Sequence, residues 1–454
     1  MKTWYSKIAL GVASLMAATA ASAVVLPNAS DVQASNSQII VKFKGISETP
    51  NRVLSLDGLA GDALAKLGLS GKVERLMYNN AAVIKLSKAT NGKVLQRIVN
   101  RLSANPSIEF AEIDQIMTPM AATPNDPLYP QLWAFNDADS GIDGLSAWDA
   151  TRGQGATVAV LDTGYRPHVD FINNSINGYD FISSSSIGND GNGRDSDARD
   201  PGDGRAFWRF VLQSSSWHGT HVAGTIGATA NNGEGIVGVA PEADLLHVRV
   251  LGKGGGSTSD IADAIVWSAG GTVSGVPANT NPADVINMSL GGSGACGSSM
   301  ANAIAQANSN GTIVVVAAGN SNANMDTSSY SPASCSGVIT VAAHDANGNK
   351  ASFSNYGSTI EISAPGVSIL STLNDGRVSP GNDNYVYYNG TSMATPHVAG
   401  VAALLKALDP SLDVNDVTGI LSSSATPFGS GSSCNTSICG AGKLNAGSAV
   451  LLAQ

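Results

Sequence analysis

Three residues far apart in the chain are of the types that together make a hydroxyl reactive: Asp162 in Leu161-Asp162-Thr163-Gly164-Tyr165, His218 in Trp217-His218-Gly219-Thr220-His221, and Ser392 in Asn389-Gly390-Thr391-Ser392-Met393-Ala394-Thr395-Pro396-His397. A hydroxyl is a poor nucleophile at neutral pH and needs an adjacent imidazole to remove its proton. The imidazole needs a carboxylate to fix its tautomer and steady its charge. Gly390 permits a tight turn, and Thr391 and Ser392 are helix-capping types, so a helix is predicted to begin at Ser392 and run on through the apolar 398–405. There the hydroxyl would sit at the positive end of the helix dipole, beside N–H groups without helical partners that can receive a developing negative charge. A capped, buried helix with no chemistry would also produce Gly-Thr-Ser, so chemistry requires the three residues to meet.

The surrounding pattern supplies a way for them to meet. Asp162 directly follows the run 156–161, and further short β-branched runs lie at 245–251, 284–290, 312–317 and 338–343. Such continuous apolar strands suit a parallel sheet covered on both faces. Helical segments are predicted at 221–228, 259–269 and 298–308 between them. The predicted fold is therefore α/β, a doubly wound, mostly parallel sheet whose ligands lie at the C-terminal ends of the strands. Each of the three residues falls at a strand end or a helix start, so one edge of one sheet can gather them.

At 454 residues, with 43% hydrophobic and 13% charged residues and 51 glycines, the chain has material for a large core and many tight turns. Its beginning has the form of an export signal: Lys2 and Lys7 lead into an apolar run from residue 8 to about 20, followed by Ala21-Ser22-Ala23. Cleavage after Ala23 is expected, giving a secreted product without a membrane anchor, because the run is short for a bilayer span. Residues 24–120 then show strand patterns at 38–44, 81–86 and 108–113 and helical spacing at 94–102, which predicts a small α+β domain. Met117-Thr118-Pro119-Met120 interrupts the pattern, and the boundary is placed near Met120, leaving 121–454 as the main domain.

Charge divides the same way, with 11 Lys+Arg against 8 Asp+Glu in 24–120 and 12 against 27 in 121–454. An acidic main domain argues against nucleic acid as a partner and suggests attraction between the two parts, as well as solubility. The four cysteines have neither zinc-site nor redox-motif spacing, and export favours disulfides. The close Cys434/Cys439 pair suggests a local clip, leaving Cys296 with Cys335.

The stretches around Asp162, His218 and Ser392 resemble the three signature motifs of the subtilisin family of serine endopeptidases, in that family's order Asp, His, Ser. The resemblance covers roughly 125–425, and Tyr330-Ser331-Pro332-Ala333-Ser334 and Ser352-Phe353-Ser354-Asn355-Tyr356-Gly357 are similar to the proteinase K branch. It implies Asp162 as orienting carboxylate, His218 as general base and acid, and Ser392 as nucleophile. Ala317-Ala318-Gly319-Asn320 implies Asn320 as the side-chain oxyanion donor. Ser289, Leu290 and Gly291, with Gly254, Gly255 and Gly256, match segments that clamp an extended peptide as an added strand; ordinary turns would also use such glycines. Small residues at Gly291, Ala318 and Gly319, without a carboxylate at the pocket base, imply protein and peptide substrates cut with broad specificity and some preference for large apolar side chains. Residues 37–120 resemble the family's inhibitory prosegments, which implies a zymogen held by its own prosegment until cleavage; a secretion spacer is the alternative. A monomer is expected, and the rivals for the whole are an inactive relative that only binds and a hydrolase of small esters.

Asp190, Asp195, Asp197, Asp200 and Asp203 crowd into the glycine-rich 188–204. Oxygen ligands at close spacing suit Ca²⁺, although a solvated acidic loop would look the same. The family resemblance also implies structural calcium, and Glu361 falls where the proteinase K branch carries a calcium-binding Asp. His221 and His397 are expected to pack rather than react, and His168, His247 and His344 have no partner recognisable from sequence.

Overall fold

The computed structural model describes residues 38–45, 52–88, 92–114, 123–207 and 210–454. The predicted leader 1–23 and the boundary segment 115–120 lie outside the described residues. The chain divides into two compact units, Met1–Pro119 and Met120–Gln454.

In the first unit the strands are β1 (Gln38–Phe43), β2 (Gly71–Leu76), β3 (Ala82–Leu86) and β4 (Ile108–Ile113), in the antiparallel order β2-β3-β1-β4. Helices α1 (Arg52–Ala65) and α2 (Gly92–Ser103) complete the expected α+β unit. Its core is the alternate-residue face of the sheet, Ile39, Val41, Val73 and Ile84, packed on Leu56, Leu64, Leu95 and Leu102.

The second unit contains β5 (Thr157–Asp162), β6 (Ser175–Asp180), the hairpin β7 (Arg205–Phe207) and β8 (Phe210–Gln213), and β9 (Asp244–Arg249). There follow β10 (Val285–Met288), β11 (Gly292–Ser293), β12 (Ile313–Ala317), β13 (Tyr330–Ser331), β14 (Ile339–His344), β15 (Ile362–Pro365) and a second hairpin, β16 (Ile369–Asn374) with β17 (Asp383–Tyr388). The longer helices are α3 (His218–Gly227), α4 (Thr258–Ser268), α5 (Ser298–Ser309), α6 (Thr391–Leu408), α7 (Val414–Ser424) and α8 (Ala446–Ala453). Seven strands form one sheet in the order β15-β14-β12-β10-β5-β9-β6, and every described pairing within it is parallel.

The sheet is apolar on both faces because consecutive residues feed opposite cores. Val158, Val160, Ile313 and Val315 join the cluster under α3 and α6, while Ala159, Leu161, Val314 and Val316 join the one under α4 and α5. Burying each such side chain stabilises the fold by about 1.5–3 kcal/mol. The chain leaves β5 for β6 and β9 on one side and then passes to β10 and β12 on the other. This reversal puts a crevice at the C-terminal ends of β5 and β10, where Asp162 ends its strand.

Candidate active site

The Asp162 carboxylate is fully buried at the end of β5 and receives the Thr163 N–H at 2.7 Å. Its two oxygens lie 2.8 and 3.0 Å from His218 Nδ1. A proton on Nδ1 is therefore the one that points at the carboxylate, which leaves Nε2 as the basic nitrogen. Burial by itself pushes the His218 imidazole down, but the Asp162 charge and hydrogen bond, with help from Asp203 and Asp200, raise it above its ordinary value of 6.5. The ring keeps 22% of its side-chain surface exposed, so its far edge is open to a ligand.

His218 opens α3 rather than preceding it; the helix predicted from residue 221 starts three residues sooner. Trp217 before it has φ 48°, a left-handed conformation that a bulky residue adopts only when its surroundings hold it there. The β16–β17 hairpin provides that hold. Trp217 Nε1 donates to the Gly376 carbonyl at 2.6 Å, Tyr388 Oη donates to the Ser216 carbonyl at 2.9 Å, and Thr372 Oγ1 donates to the Thr220 carbonyl at 2.8 Å. On the other side the Gly219 N–H donates to Thr163 Oγ1 at 3.1 Å, and a Cβ on Gly219 would stand 2.0 Å from the Gly164 carbonyl oxygen. Only glycine lets the two turns approach this closely.

Ser392 is the second residue of α6, and Gly390, with no side-chain cap, holds the N-cap position that sequence reasoning assigned to a hydroxyl residue. Thr391 and Ser392 are freed from capping because Asn320 Oδ1 takes the Thr391 N–H at 2.8 Å from outside the helix. The Thr391 hydroxyl also donates to Asn320 Oδ1 at 3.0 Å, which fixes the amide with its Nδ2 on the side away from Thr391. The Ser392 N–H, in the first helical turn, has no acceptor within the helix. Ser392 Oγ donates to the Ser289 carbonyl at 3.1 Å.

Beside Ser392 and Asn320 lies a cavity of about 240 Å³, walled by Leu290, Gly291, Ala318, Gly319, Tyr330 and Ala333 among others. None of its lining residues is charged. Gly319 has φ 105°, and a Cβ there would be 2.5 Å from Asn355 Nδ2, so a side chain at this position would displace the amide that holds the Ala318 carbonyl. Gly254, Gly255 and Gly256 are not part of the cavity's lining. They form a tight turn closed by a Gly252–Gly255 bridge, with Gly254 and Gly256 exposed.

Both cysteine pairs expected from sequence are formed, Cys296–Cys335 and Cys434–Cys439. His221 and His397 pack as expected, with their rings hydrogen-bonded to backbone carbonyls and burial pushing them down to about 3 and about 4. The three histidines without recognisable partners have them: His168 meets the Asn384 carbonyl, His247 meets Ser175 Oγ, and His344 meets the Asp345 carbonyl.

In the acidic loop Asp190, Asp195 and Asp197 line one open cavity with Asn192, and each aspartate also has partners of its own. Asp190 pairs with Arg249 at 2.6 Å, Asp197 with Arg199 at 2.6 Å, and Asp203 takes the Ser216 N–H and hydroxyl at 2.6 and 2.8 Å. Asp195 receives the Asp197 N–H and Asn192, and buried Asp200 receives the Gly202 N–H at 2.7 Å. Among the described residues no three His, Cys, Asp or Glu side chains are grouped so as to hold a metal ion. Arginines and backbone N–H groups answer part of this charge, while the second carboxylate oxygen of buried Asp200 has no hydrogen-bond partner. Glu361 receives the Thr340 N–H at 2.7 Å, and burial raises its carboxyl to about 7.

Sequence reasoning placed Ser289 among the substrate-clamping residues and Thr391 as a helix-capping type, but missed the bond from the Ser289 hydroxyl to Ser392, the bond from Thr391 to Asn320 and the role of the β16–β17 hairpin. Pro396, the sixth residue of α6, was the available signal for the first of these.

Comparison with known proteins defines the class. The subtilase family matches residues 153–442, and the chain belongs to that family. An extracellular protease of Xanthomonas campestris pv. campestris is 49% identical over 85% of this chain and 66% of its own length. The extracellular basic protease of Dichelobacter nodosus is 41% identical over 81% of this chain and 62% of its own length. The chain thus spans just under two thirds of these two relatives. A solved protease structure from Pseudoalteromonas arctica PAMC 21717 superposes with a TM-score of 0.70 at 52% identity, covering 73% of this chain and all of that one.

Proposed function

We propose that this chain is a secreted serine endopeptidase in which Ser392 attacks the peptide carbonyl. The observation that carries the reading is the buried Asp162 carboxylate held at 2.8 and 3.0 Å from His218 Nδ1 at the end of β5, with Ser392 bonded to Ser289 just past the end of the neighbouring strand β10. Ser392 Oγ turns away from the Ser289 carbonyl and passes its proton to His218 Nε2 as the C–O bond forms. The carbonyl oxygen becomes an oxyanion that accepts from Asn320 Nδ2 and the Ser392 N–H. His218 returns the proton to the departing amine, the C–N bond breaks, and water repeats the sequence on the acyl-enzyme.

The uncharged cavity beside Ser392 supports a broad preference with a bias toward large apolar side chains, and offers nothing to pair with Arg or Lys. Residues 289–291 and 254–256 are the two stretches along which an extended substrate would add as a strand. An inactive binder would have no use for the buried Asp162–His218 pair. Against a small-ester hydrolase stands the match to the subtilase family.

Residues 1–23 serve as leader and 24–120 as inhibitory prosegment in this reading, with 121–454 as the peptidase, acting as a monomer. Support comes from the division of the chain at Pro119/Met120, from the extracellular relatives, and from the finding that no described helix is long and apolar enough to cross a membrane. Calcium is the structural ion proposed for this chain, with Asp190, Asp195, Asp197, Asp200 and Asp203 as its candidate ligands, supported by the cavity that Asp190, Asp195 and Asp197 line together. Digestion of casein by the wild type but not by Ser392→Ala tests the proposal. Digestion by both would refute it.

A further inference from the structure

An α-helical carbonyl is normally satisfied by the N–H four residues on. For Ser392 that residue is Pro396, which has no N–H to give. The orphaned carbonyl belongs to the proposed nucleophile itself, in the first turn of α6. It is not left unmet, because Ser289 Oγ donates to it at 2.8 Å. A carbonyl can only accept, so the direction of that bond is fixed, and a third group occupies the hydroxyl oxygen from the other side. Asn287 Nδ2, fully buried on β10, donates to Ser289 Oγ at 3.0 Å, so the single hydroxyl proton of Ser289 is directed at Ser392. The same residue holds the other end of Ser392 as well, since its own carbonyl accepts the Ser392 hydroxyl at 3.1 Å.

We propose that the Ser289 hydroxyl is a positioning group for Ser392, standing in for the backbone donor that Pro396 removes. It fixes the first turn of α6 relative to β10, and therefore the height and rotation of the nucleophile against the sheet that carries Asp162. The hydroxyl is spent on the Ser392 carbonyl and acts through the Ser392 backbone, leaving the main chain of 289–291 for the substrate. Losing it leaves a carbonyl unpaired at the place where misplacement by a fraction of an ångström is felt in the chemical step.

The proposal rests on Ser392 being the nucleophile, and a double-mutant cycle in the mature enzyme tests it separately. Ser289→Ala should lower kcat about 10- to 100-fold while KM for a chromogenic peptide stays within about threefold. Pro396→Ala restores a backbone N–H facing the Ser392 carbonyl and should keep kcat within about threefold. In the Ser289→Ala/Pro396→Ala enzyme the loss should shrink to within about threefold of Pro396→Ala alone, which a simple packing role for Ser289 would not produce. An equal loss in both backgrounds overturns the proposal. Ser289→Cys gives a second reading that does not depend on Pro396, since a thiol is a weak donor and kcat should fall between Ser and Ala; Cys and Ala both matching wild type would also overturn it. Ser392→Ala in each background separates the two ideas, because activity surviving that change refutes the nucleophile assignment instead.

Discussion

The end of β5 and the loop 188–204 are both places where aspartates dominate, and they behave in opposite ways. At the strand end one carboxylate, Asp162, is buried without a cationic partner other than the imidazole it orients. In the loop five carboxylates are distributed over separate partners, with Arg249 supplied from β9 and Arg199 from the loop itself. A carboxylate at the end of a central strand has its position dictated by the sheet, so its sequence context already tells what it faces. A carboxylate in a loop is answered by whatever donors fold around it, so close spacing in sequence does not by itself tell which groups it will share.

That contrast can be broken at several points. The largest effect should come from Asp162→Asn, which leaves the geometry but presents the wrong hydrogen-bond partner to Nδ1; kcat should fall about 10⁴-fold. The same substitution gives a signed pH test. His218 must be neutral to act as base, and Asp162 holds its pKa above 6.5, so wild-type kcat/KM should be lost as pH falls through a value above 6.5. Removing the Asp162 charge lets burial dominate and should move that acid limb to lower pH; a limb that stays in place would detach Asp162 from His218. Asn320→Ala should lower kcat by about 100- to 1,000-fold, more than it raises KM, the cost of losing one oxyanion donor.

On the loop side the sharpest probe is Arg249→Met. Arg249 is buried against Asp180 and Asp190, with Asp180 also fully buried. Removing one partner of a buried ion pair costs about 3–5 kcal/mol, which would appear as a lower denaturation midpoint. A stable variant would mean that Asp180, which burial raises to about 7, is protonated there or that these carboxylates have another counter-charge, such as a cation. The smallest effect is expected from Asp195→Asn/Asp197→Asn, which should abolish the wild type's sensitivity of thermal inactivation to a chelator. Chelator sensitivity that persists unchanged in this variant would place the ion away from these residues.

Much of the site was legible because its members sit at element boundaries with short-range signatures. Asp162 after an apolar run, glycines around His218 and the Gly-Thr-Ser before an apolar helix each state their local geometry. The parallel sheet was legible for the same reason in its central strands, where β-branched runs are unbroken. The edge strand β6 was not, because Ser175-Ile176-Asn177-Gly178-Tyr179-Asp180 is polar and interrupted. Helix α1 was hidden by Gly58 and Gly61, where a side chain would meet nothing and packing tolerates the weak helix former. The β16–β17 hairpin escaped because its work is done by Ser371 and Thr372, buried hydroxyls whose targets are carbonyls of α3 about 150 positions earlier. Partners that distant leave no local pattern, and the same holds for Ser289 and Pro396.

The most direct test is to treat the secreted enzyme with a fluorophosphonate and locate the label by peptide mass spectrometry. The account predicts one adduct, on Ser392, formed rapidly by wild type and slowed by several orders of magnitude in Asp162→Asn and His218→Ala. An unlabelled Ser392 in folded, mature protein, or labelling that proceeds equally fast without His218, would contradict it.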